Sequence, residues 1–360
     1  MFKYIPTIIN SKRVAYLIFY VTNRCNFNCK FCYYAEEIQK GLKVNELSLE
    51  EIDKITKNIN NLLQVSFAGG EPFLRKDFPQ LAEIFIKNTN VKYVNIPTNG
   101  SLNSRIKKFL EYILPKFPKV SFRLTYSIDG IEEQHDTNRS MPGSFKKIVN
   151  SFKEISYYRK KFSNLSIDSN TVFTTNTENN IIEILNHLNK NFEFDNLTLT
   201  YARGDFPDQK LKSRSLDKYH DALDYLKKMY IYPENRKLYS LYRATREIAF
   251  QNIYKIIFEN KFVNYCVSGK KLFVISEEGN VYPCEILTKT HPLGNLREFN
   301  YDINKIIKTT QAKETYKWIK KTKCKCSFEC AVAANVIWDY KNYPKLLFTT
   351  IKNQLRAFRN

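Results

Sequence analysis

The sequence predicts an α/β fold built as an open, partial (β/α)6 barrel, followed by a small cysteine-containing domain. Over the first two thirds of the 360 residues, runs of β-branched and aromatic residues alternate with amphipathic segments. That order is typical of parallel strands joined by right-handed crossover helices. Six strand–helix units can be counted, whereas a closed barrel of this kind takes eight. The eight cysteines form two groups near opposite ends of the chain, which sets the second domain apart.

The six units follow one another along residues 13–230. The first strand is predicted at 13–22, RVAYLIFYVT, because this run is rich in β-branched and aromatic residues. Further strands are predicted at 64–68, 92–97, 121–128, 165–174 and 196–201. Helices are predicted at 48–62, 77–89, 103–113, 144–161, 178–190 and 215–230. The first helix opens with Ser48 and Glu51 in capping-box spacing. In such barrels, the loops after the carboxyl ends of the strands carry the functional site.

The chain divides into four predicted segments. The barrel takes residues 1–230, and residues 231–261 form a linker and a helix. A small domain follows at 262–335. Its stretch KLFVISEEGNVYPC is typical of a β-hairpin, with the turn at 278–280. Residues 336–360 are predicted to form a basic amphipathic helix.

The composition excludes several classes of protein. With 43% hydrophobic residues the chain can bury a sizeable core, so wholesale disorder is not expected. No apolar run is long enough to span a membrane. We expect the N-terminal stretch to lead into the first strand rather than to serve as a signal peptide, and the protein to be cytoplasmic. The net charge of +21 is usual for a diffuse solvated face, and it can also attract an acidic partner such as a nucleotide, a phospholipid head group or RNA. Nucleic acid is disfavoured, because no RRM, zinc-finger or helix-turn-helix pattern is present.

The first cysteine group lies directly after the first predicted strand. Cys25, Cys29 and Cys32 have the spacing C-x3-C-x2-C, which gathers three thiolates into one tight loop. A [4Fe–4S] cluster normally takes four thiolates, so three leave one iron open to a small chelating ligand. The alternative is a zinc site, which wants a fourth protein ligand. Of the four histidines, only His291 lies close in sequence to a cysteine, and it is far from this group.

Motifs after the later strands extend this pattern. Gly69-Gly70-Glu71-Pro72 follows the second strand, and Thr98-Asn99-Gly100 follows the third. The stretch from Ser127 to Arg139 has the form SxDGxxxxHDxxR, and aromatic Phe31 precedes the last cysteine of the loop. In this order, CxxxCxxC, GGEP and the later motifs resemble the radical S-adenosylmethionine (SAM) superfamily, and within it the enzymes with a SPASM or twitch C-terminal domain. The resemblance covers roughly residues 13–335.

The resemblance implies a role for each matched residue. The SAM-binding residues that it implies are Phe31, Gly69, Gly70, Glu71, Asn99, Ser127 and Arg139. Among them, Glu71 would accept a hydrogen bond from the SAM ammonium, Arg139 would bind its carboxylate, and Ser127 would contact the ribose. Asp129 is the candidate catalytic residue. The alternative is that Asp129-Gly130 only forms a turn. His135-Asp136 is predicted to start a helix.

The second cysteine group resembles the opening of SPASM and twitch domains, C-x(9–15)-G-x4-C, in Cys266, Gly279 and Cys284. Cys324, Cys326 and Cys330 follow. Five cysteines fill one four-ligand cluster and leave one spare, so the resemblance implies a twitch-like domain with a single auxiliary [4Fe–4S] cluster. We expect Cys266, Cys284, Cys326 and Cys330 to be its ligands. Cys324 is the predicted spare, because C-x-C spacing crowds two thiolates onto one side of an extended segment. A structural zinc site of four cysteines is the alternative.

The C-terminal segment combines an apolar face with basic residues. A helix through residues 345–359 would align Leu347, Ile351, Leu355 and Phe358 on one face, with lysine and arginine on much of the rest. Such a helix can lie on an anionic membrane surface. The alternative is that this face docks on the chain's own domain, as most amphipathic helices do.

The resemblance implies a radical SAM enzyme. In that family, one electron from the open-cornered cluster cleaves SAM to methionine and a 5′-deoxyadenosyl radical, which abstracts hydrogen from a substrate. The auxiliary cluster would pass an electron or bind substrate, and a flavodoxin or ferredoxin would donate electrons. The substrate is expected to be a small molecule, acidic in view of the charge, or a peptide, as for the peptide-modifying maturases. The alternative from another class is a non-catalytic zinc protein that binds nucleic acid or another acidic partner.

Overall fold

The computed structural model describes residues 2–10, 13–41, 44–213, 215–229 and 239–357. The start of the predicted linker, up to residue 238, therefore lies outside the described residues. So does Phe358, one of the residues predicted on the apolar face of the C-terminal helix.

In the part of the chain that the structure describes, a nine-stranded sheet forms the centre of the molecule. Its strands are β1 Tyr16–Thr22, β2 Gln64–Gly69, β3 Tyr93–Thr98, β4 Ser121–Ser127, β5 Leu165–Phe173, β6 Asn196–Tyr201, β7 Leu272–Ile275, β8 Asn280–Tyr282 and β9 Gly294–Asn295. The spatial order is β6-β5-β4-β3-β2-β1-β7-β8-β9. Neighbouring strands from β1 to β6 are all parallel. This run of six consecutive parallel strands confirms the predicted fold class, and the strands begin and end within a few residues of their predicted positions.

The longer helices that connect the parallel strands cover the outer face of the sheet. These and the other helices of the described residues follow here in chain order. They are α1 Ile5–Ile9, α2 Ala35–Gln39, α3 Leu49–Lys57, α4 Phe78–Thr89, α5 Asn103–Ile113, α6 Glu133–Arg139, α7 Ser144–Lys161, α8 Ile181–Asn191, α9 Leu216–Met229, α10 Tyr239–Phe258, α11 Ile303–Lys308, α12 Thr310–Lys321, α13 Glu329–Trp338 and α14 Tyr343–Ala357. Ser48 and Glu51 form the predicted capping box of α3. This helix ends at Lys57 rather than at residue 62, because the Asn58 amide group folds back onto the Lys54 carbonyl and closes its last turn.

The two faces of the parallel strands differ in polarity. In β4, Phe122, Leu124 and Tyr126 are buried in the main core beneath the helices. Because side chains alternate along a strand, Arg123 and Thr125 point to the opposite face, into the barrel lumen. That lumen is polar along several strands, whereas closed barrels fill theirs mainly with branched apolar residues.

Hydrogen bonds connect the polar side chains of the lumen. Thr125 Oγ1 donates to Asn95 Oδ1 at 3.0 Å, and Asn95 Nδ2 donates to Ser66 Oγ at 3.0 Å. On the other side, the hydroxyls of Thr198 and Thr200 both donate to Asn170 Oδ1, at 2.8 Å each. Asn95, Thr125, Asn170 and Thr200 are only partly buried. The inner face of the sheet is therefore polar without being sealed.

A buried ion pair closes the lumen near the amino ends of the strands. Arg123 Nε lies 3.0 Å from Asp168 Oδ2, and Asn196 Nδ2 donates to Asp168 Oδ1 at 3.0 Å. The ring of Tyr242, on α10, lies 4.6 Å from the Arg123 guanidinium carbon. Because Asp168 is almost fully buried, this group of residues forms the floor of the lumen.

The C-terminal part of the chain continues the barrel sheet. β7 pairs with β1 in parallel, with Tyr16 opposite Leu272. β7 and β8 then form an antiparallel hairpin, which confirms the hairpin predicted around residues 278–280. Gly279 has φ +85°, a backbone conformation that glycine adopts without strain. The second cysteine group is thus joined to the barrel by strand pairing.

Helix α13 lies on the open side of the barrel. Its Ala331 and Ala334 pack with Tyr16, Ile18 and Tyr20, the lumen-facing residues of β1. At the start of the helix, Glu329 Oε1 accepts a hydrogen bond from the backbone N–H of Tyr201, at the end of β6. Helix α13 therefore bridges the two ends of the parallel run. Helix α10 packs on α13, and α14 packs on α10. None of the described helices is both long and apolar enough to cross a membrane.

Candidate active site

The first cysteine group lies in the loop after β1, at the carboxyl end of the strand. Cys29 is buried and Cys25 and Cys32 are partly buried. The Cys25 sulfur accepts a hydrogen bond from the backbone N–H of Phe27 at 3.4 Å. Burial raises the pKa of Cys25 to about 12 and that of Cys32 to about 11, and it raises the pKa of Cys29 as well. The three thiols therefore lie in one desolvated loop.

The two glycines after β2 allow a close approach to this loop. A Cβ on Gly70 would lie 2.1 Å from the carbonyl oxygen of Arg24, and a Cβ on Gly69 would lie 2.4 Å from that of Thr22. The backbone N–H of Gly70 donates to Thr22 O at 2.9 Å, and that of Glu71 donates to Arg24 O at 2.9 Å. The glycines therefore let two backbone segments pair directly beside Cys25.

Glu71 connects this segment to the loop after β3. Its side chain is about 1% exposed. Oε2 accepts from the backbone N–H of Asn99 at 2.7 Å, and Oε1 accepts from Thr98 Oγ1 at 2.9 Å and from the N–H of Phe73 at 3.2 Å. Burial raises the pKa of Glu71 to about 7 although these hydrogen bonds oppose the shift. In this structure Glu71 holds the Thr98-Asn99-Gly100 turn in place.

Asn99 in turn contacts the cysteine loop. Its Nδ2 donates to the Asn26 side-chain oxygen at 2.9 Å, and its Oδ1 accepts from the backbone N–H of Ser101 at 3.0 Å. Asn26 lies between Cys25 and Cys29, so the loop after β3 fixes the loop after β1. Ser127, the candidate ribose contact, is the last residue of β4 and is partly buried.

Asp129 and Arg139 form an ion pair in which the Asp129 side chain is almost fully buried. Asp129 Oδ1 also accepts from the backbone N–H of Val172 at 2.6 Å. Arg139 Nη1 lies 3.8 Å from the Cys29 sulfur, and its guanidinium carbon lies 5.4 Å from the centre of the Phe31 ring. Burial raises the pKa of Asp129 while Arg139 opposes the shift. Because the Val172 N–H holds Asp129 in place, the ion pair fixes the position of Arg139 beside the cysteine loop.

His135 and Asp136 hold local structure in and around α6. His135 Nδ1 accepts from the backbone N–H of Asp129 at 3.1 Å. Asp136 Oδ1 accepts from Ser144 Oγ and from the N–H of Phe145, both at 2.8 Å, at the start of α7. Both residues lie in α6, in line with the predicted helix at this position.

The donor set around the cysteine loop fits a SAM-bound cluster. Arg139 Nε is buried and has no hydrogen-bond partner among the described residues. Such a donor is costly to bury unless a ligand satisfies it, and the carboxylate of SAM is the group that a guanidinium binds best. No three His, Cys, Asp or Glu side chains in the described part of the chain are grouped to hold one metal ion. Thiolates that bind different irons of one cluster need no such grouping.

The second cysteine group gathers beside β7 and β8. Burial raises the pKa of Cys326 to about 12. The nearby thiols of Cys266 and Cys324 add to this rise. The pKa of Cys284 is also raised, first by burial and then by the neighbouring Cys326 and Cys266. After burial, the nearby Cys266 thus acts on the pKa of Cys284, Cys324 and Cys326 alike.

Cys330 has a different environment. It lies in the first turn of α13. Burial raises the pKa of Cys330 to about 11, and Glu285 contributes to this rise. A hydrogen bond with Tyr16 and the charge of Arg203 lower it. None of the eight cysteines, all of which lie in the described part of the chain, forms a disulfide bond. All five cysteines of this group belong to, or pack against, one buried cluster that also contains Tyr16 and Leu272.

Residues that the sequence did not single out connect the two cysteine groups. The hydroxyls of Tyr33 and Tyr20 donate to Glu285 Oε1, at 2.9 and 3.3 Å. Arg203, after β6, lies 3.2 Å from Glu285 Oε2 and also pairs with Glu329. No sequence motif marks Arg203 or Glu285. The sole signal in the sequence was that Tyr33 directly follows Cys32 and Glu285 directly follows Cys284.

Comparison with known proteins identifies the family. A model of the radical SAM superfamily matches residues 19–188, and a model of the SPASM iron–sulfur cluster-binding domain matches residues 266–331. Together they match well over half of the chain, and they cover both cysteine groups. The chain belongs to the radical SAM superfamily and carries a SPASM-type domain. As a member of this family with a SPASM-type domain, the protein uses SAM, a SAM-binding [4Fe–4S] cluster and an auxiliary [4Fe–4S] cluster.

Individual relatives cover the chain to different extents. A cysteine-type anaerobic sulfatase-maturating enzyme of Clostridium novyi is 26% identical over 321 residues, which are 82% of this chain and 81% of that protein. A GTP 3′,8-cyclase of Pasteurella multocida is 28% identical over 142 residues, covering 38% of this chain and 42% of that protein. The second match leaves most of both chains unaligned.

Solved structures share the fold. Native anSMEcpe with bound AdoMet and the Cp18Cys peptide has a TM-score of 0.58 and 18% identity, over 96% of this chain and 99% of that chain. SuiB of Streptococcus suis, bound to the precursor peptide SuiA, has a TM-score of 0.58 and 17% identity, over 83% of this chain and 65% of that chain. At these identities the likeness establishes the fold alone.

Proposed function

We propose that this radical SAM enzyme modifies a peptide. The observation that carries the proposal is the polar, partly accessible inner face of the sheet, with Asn95, Thr125, Asn170 and Thr200 on it. Amide and hydroxyl groups exchange hydrogen bonds with peptide N–H and C=O groups without requiring a charge on the substrate. The charged residues at the floor, Arg123 and Asp168, are paired with each other. Relatives and structural neighbours that act on or bind peptides are in line with this substrate class.

We assign the cofactor contacts as follows. Cys25, Cys29 and Cys32 would hold the SAM-binding cluster, and the chemistry that it would supply together with SAM is abstraction of a hydrogen atom from the substrate. Arg139 offers its guanidinium to the SAM carboxylate, and Asp129 orients Arg139 rather than touching the substrate. Glu71 keeps the Asn99 turn against the cysteine loop. The cofactor-binding roles of Phe31, Gly69, Gly70 and Ser127 remain proposals of the same kind.

We assign three auxiliary ligands, Cys266, Cys284 and Cys326, and favour Cys324 as the fourth. This differs from the sequence-based expectation, which took Cys330. What supports it is that burial and then the nearby Cys266 raise the pKa of Cys324, whereas burial and then Glu285 raise the pKa of Cys330. A flavodoxin or ferredoxin as electron donor, a cytoplasmic location and the division of the chain at residues 230, 261 and 335 remain proposals. Contact of the C-terminal helix with a membrane is a further proposal, which depends on the surface of that helix.

A peptide and a small-molecule substrate can be distinguished without knowing either. The anaerobically reconstituted enzyme, with dithionite and SAM, is mixed with the low-molecular-mass fraction of a heat-treated extract of the source cells. We expect 5′-deoxyadenosine to form above the background rate, and a peptide of altered mass to appear by mass spectrometry. Exhaustive protease digestion of the fraction beforehand should remove the stimulation. Stimulation that survives digestion would show a non-peptide substrate and overturn the proposal.

The lumen itself can be tested with isosteric variants. Thr125→Val removes a hydroxyl from the inner face, and we expect it to raise the KM for the stimulating fraction while SAM binding and background SAM cleavage stay unchanged. Thr350→Val is the matched control, because the Thr350 hydroxyl bonds only within α14, to the Leu346 carbonyl at 2.7 Å. Equal behaviour of the two variants would remove the lumen as the substrate site.

A further inference from the structure

Helix α14 leaves a stripe of large apolar side chains exposed. Leu347 is 64% exposed, Phe348 70%, Ile351 46% and Leu355 59%. Tyr343 precedes them on the same helix, and Tyr340 stands in the short 3-10 turn before it, exposed at 48% and 72%. Positions 343, 347, 351 and 355 are four residues apart, so they lie on one side of the helix. Single exposed apolar residues are ordinary, but a continuous stripe marks a binding surface.

A different side of α14 attaches it to the rest of the chain. Thr349 and Asn353 are buried, and Leu346 packs against the main core. The helix packs on α10. Burial and then the nearby Lys255 of α10 lower the pKa of Lys345, and Glu247 of α10 opposes this shift. The helix therefore does dock on its own domain. It does so through a largely polar side, contrary to the expectation that the apolar face would dock.

The charged residues of the C-terminal segment itself have one sign. Residues 340–360 contain five lysines and arginines and neither aspartate nor glutamate. Asp339, just before them, accepts from the backbone N–H of Lys341 at 3.1 Å and caps the short turn. Lys341, Lys345 and Lys352 thus border the apolar stripe with no acidic residue between them in sequence.

This combination favours lipid over protein as the partner. The cores of protein–protein interfaces are poor in lysine, whereas lysine stems lie along an apolar surface while the ammonium reaches lipid phosphates. Tyrosine rings suit the boundary between headgroups and acyl chains. A helix with a basic border and an apolar stripe is the kind that lies in the plane of a bilayer surface.

We propose that α14 and the Tyr340–Asn342 turn bind the surface of an anionic lipid bilayer. Leu347, Phe348, Ile351 and Leu355 enter the acyl boundary, and Lys341, Lys345 and Lys352 contact lipid phosphates. Helices α10 and α13 lie between α14 and the inner face of β1, so the contact leaves the cysteine loop uncovered. The proposal is independent of the substrate class, since no residue of the stripe belongs to either cysteine site.

Vesicle sedimentation of the full-length reconstituted enzyme tests the proposal. Vesicles are made of phosphatidylcholine alone or with about one third phosphatidylserine. We expect binding to the mixed vesicles only, and weaker binding as salt is raised, because exposed charges are screened. Equal binding to both vesicles, or none to either, would overturn the proposal.

Matched variants separate lipid contact from association between protein chains. The quadruple variant L347S/F348S/I351S/L355S should abolish vesicle binding, and K341Q/K345Q/K352Q should lower the partition coefficient about fivefold per lysine. Tyr157→Ser is the control, because Tyr157 is 64% exposed on α7, and it should bind as the parent does. Circular dichroism and iron content should be unchanged throughout. If light scattering shows a dimer that the serine variant dissociates, the stripe is a protein interface and the lipid proposal fails.

Discussion

The hydroxyl of Tyr33 donates a hydrogen bond to Glu285 Oε1 at 2.9 Å, across 252 residues of sequence. Tyr33 directly follows Cys32, and Glu285 directly follows Cys284. The loop of the first cysteine group is thereby tied to a segment of the second cysteine group. Arg203 extends the link, because it pairs with both Glu285 and Glu329. The relative position of the two cysteine sites is therefore set by side chains as well as by the pairing of β1 with β7.

Breaking this link should destabilise the assembly of the two sites. The Arg203 side chain is 13% exposed and that of Glu285 6%, so Arg203→Met would leave two carboxylates without their buried partner. We expect a loss of about 3–5 kcal/mol in the free energy of unfolding, measured by urea denaturation under anaerobic conditions. Lys57→Met is the control, because its partner Asp53 is on the surface of α3 and such pairs contribute about 0.3–0.5 kcal/mol. Similar losses in both variants would refute the role given to Arg203.

Loss of any one ligand of the first cluster should abolish the chemistry. Cys25→Ala, Cys29→Ala and Cys32→Ala each leave two thiolates, which cannot hold a cube with one open corner. We expect no reductive formation of 5′-deoxyadenosine, measured by chromatography after reconstitution with iron and sulfide. Thr350→Val is the control, because it removes a hydroxyl that bonds within α14, and it should form 5′-deoxyadenosine like the parent. Parental rates in any of the three loop variants would remove the cluster assignment.

Arg139→Ala and Glu71→Ala should weaken SAM binding while the first cluster stays in place. Removing one partner of a buried charged contact costs about 2–5 kcal/mol, which is roughly a 30-fold to several-thousand-fold rise in Kd. Arg139→Ala removes the proposed contact with the SAM carboxylate. Glu71→Ala acts through the Asn99 turn that it holds, so Glu71→Gln, which keeps one acceptor oxygen, should bind SAM better than Glu71→Ala.

Equilibrium binding of SAM, followed with iron content and the visible spectrum, checks this prediction. An unchanged Kd in both alanine variants would reject the two roles. A loss of the cluster in either variant would show instead that the residue supports the cysteine loop itself.

The sequence predicted the barrel and the first site because their signals are local. Strand and helix periodicity repeats within short windows, and C-x3-C-x2-C places three thiolates in one loop whatever the rest of the chain does. The contacts of Tyr33, Arg203 and Glu285 join residues far apart in sequence, and no local pattern encodes them. The same holds for β7, whose hairpin was predicted but whose pairing with β1 was not.

The C-terminal helix shows a second kind of limit. Its apolar face, from Leu347 to Leu355, could be read from the sequence, but whether that face turns inward depends on the surface offered by α10. In the structure Thr349 and Asn353 take the inner side. Amphipathic spacing therefore predicted the helix and its two faces, and tertiary packing decided which of them meets solvent.

The last prediction concerns the fourth ligand of the auxiliary cluster. Two [4Fe–4S] clusters should give about eight irons per chain, and the triple alanine variant of Cys25, Cys29 and Cys32 should keep about four. The C-x-C spacing in the sequence made Cys324 the predicted spare thiol. After burial, Cys266 is the next cause that raises the pKa of Cys324 and of Cys326, whereas for Cys330 the next cause is Glu285. We therefore expect Cys324→Ala to lose the auxiliary cluster and Cys330→Ala to retain it.

Iron, zinc and sulfide are measured together in each variant, so that the metal at the second site is identified as well as counted. The reverse result, with the cluster kept in Cys324→Ala and lost in Cys330→Ala, would restore the assignment made from the spacing alone. Because Cys330 lies near Glu285 and Arg203, its ligation would also draw the auxiliary cluster toward the Tyr33 link. The Cys324→Ala and Cys330→Ala pair thus decides both which thiol is spare and how near the second cluster stands to the first.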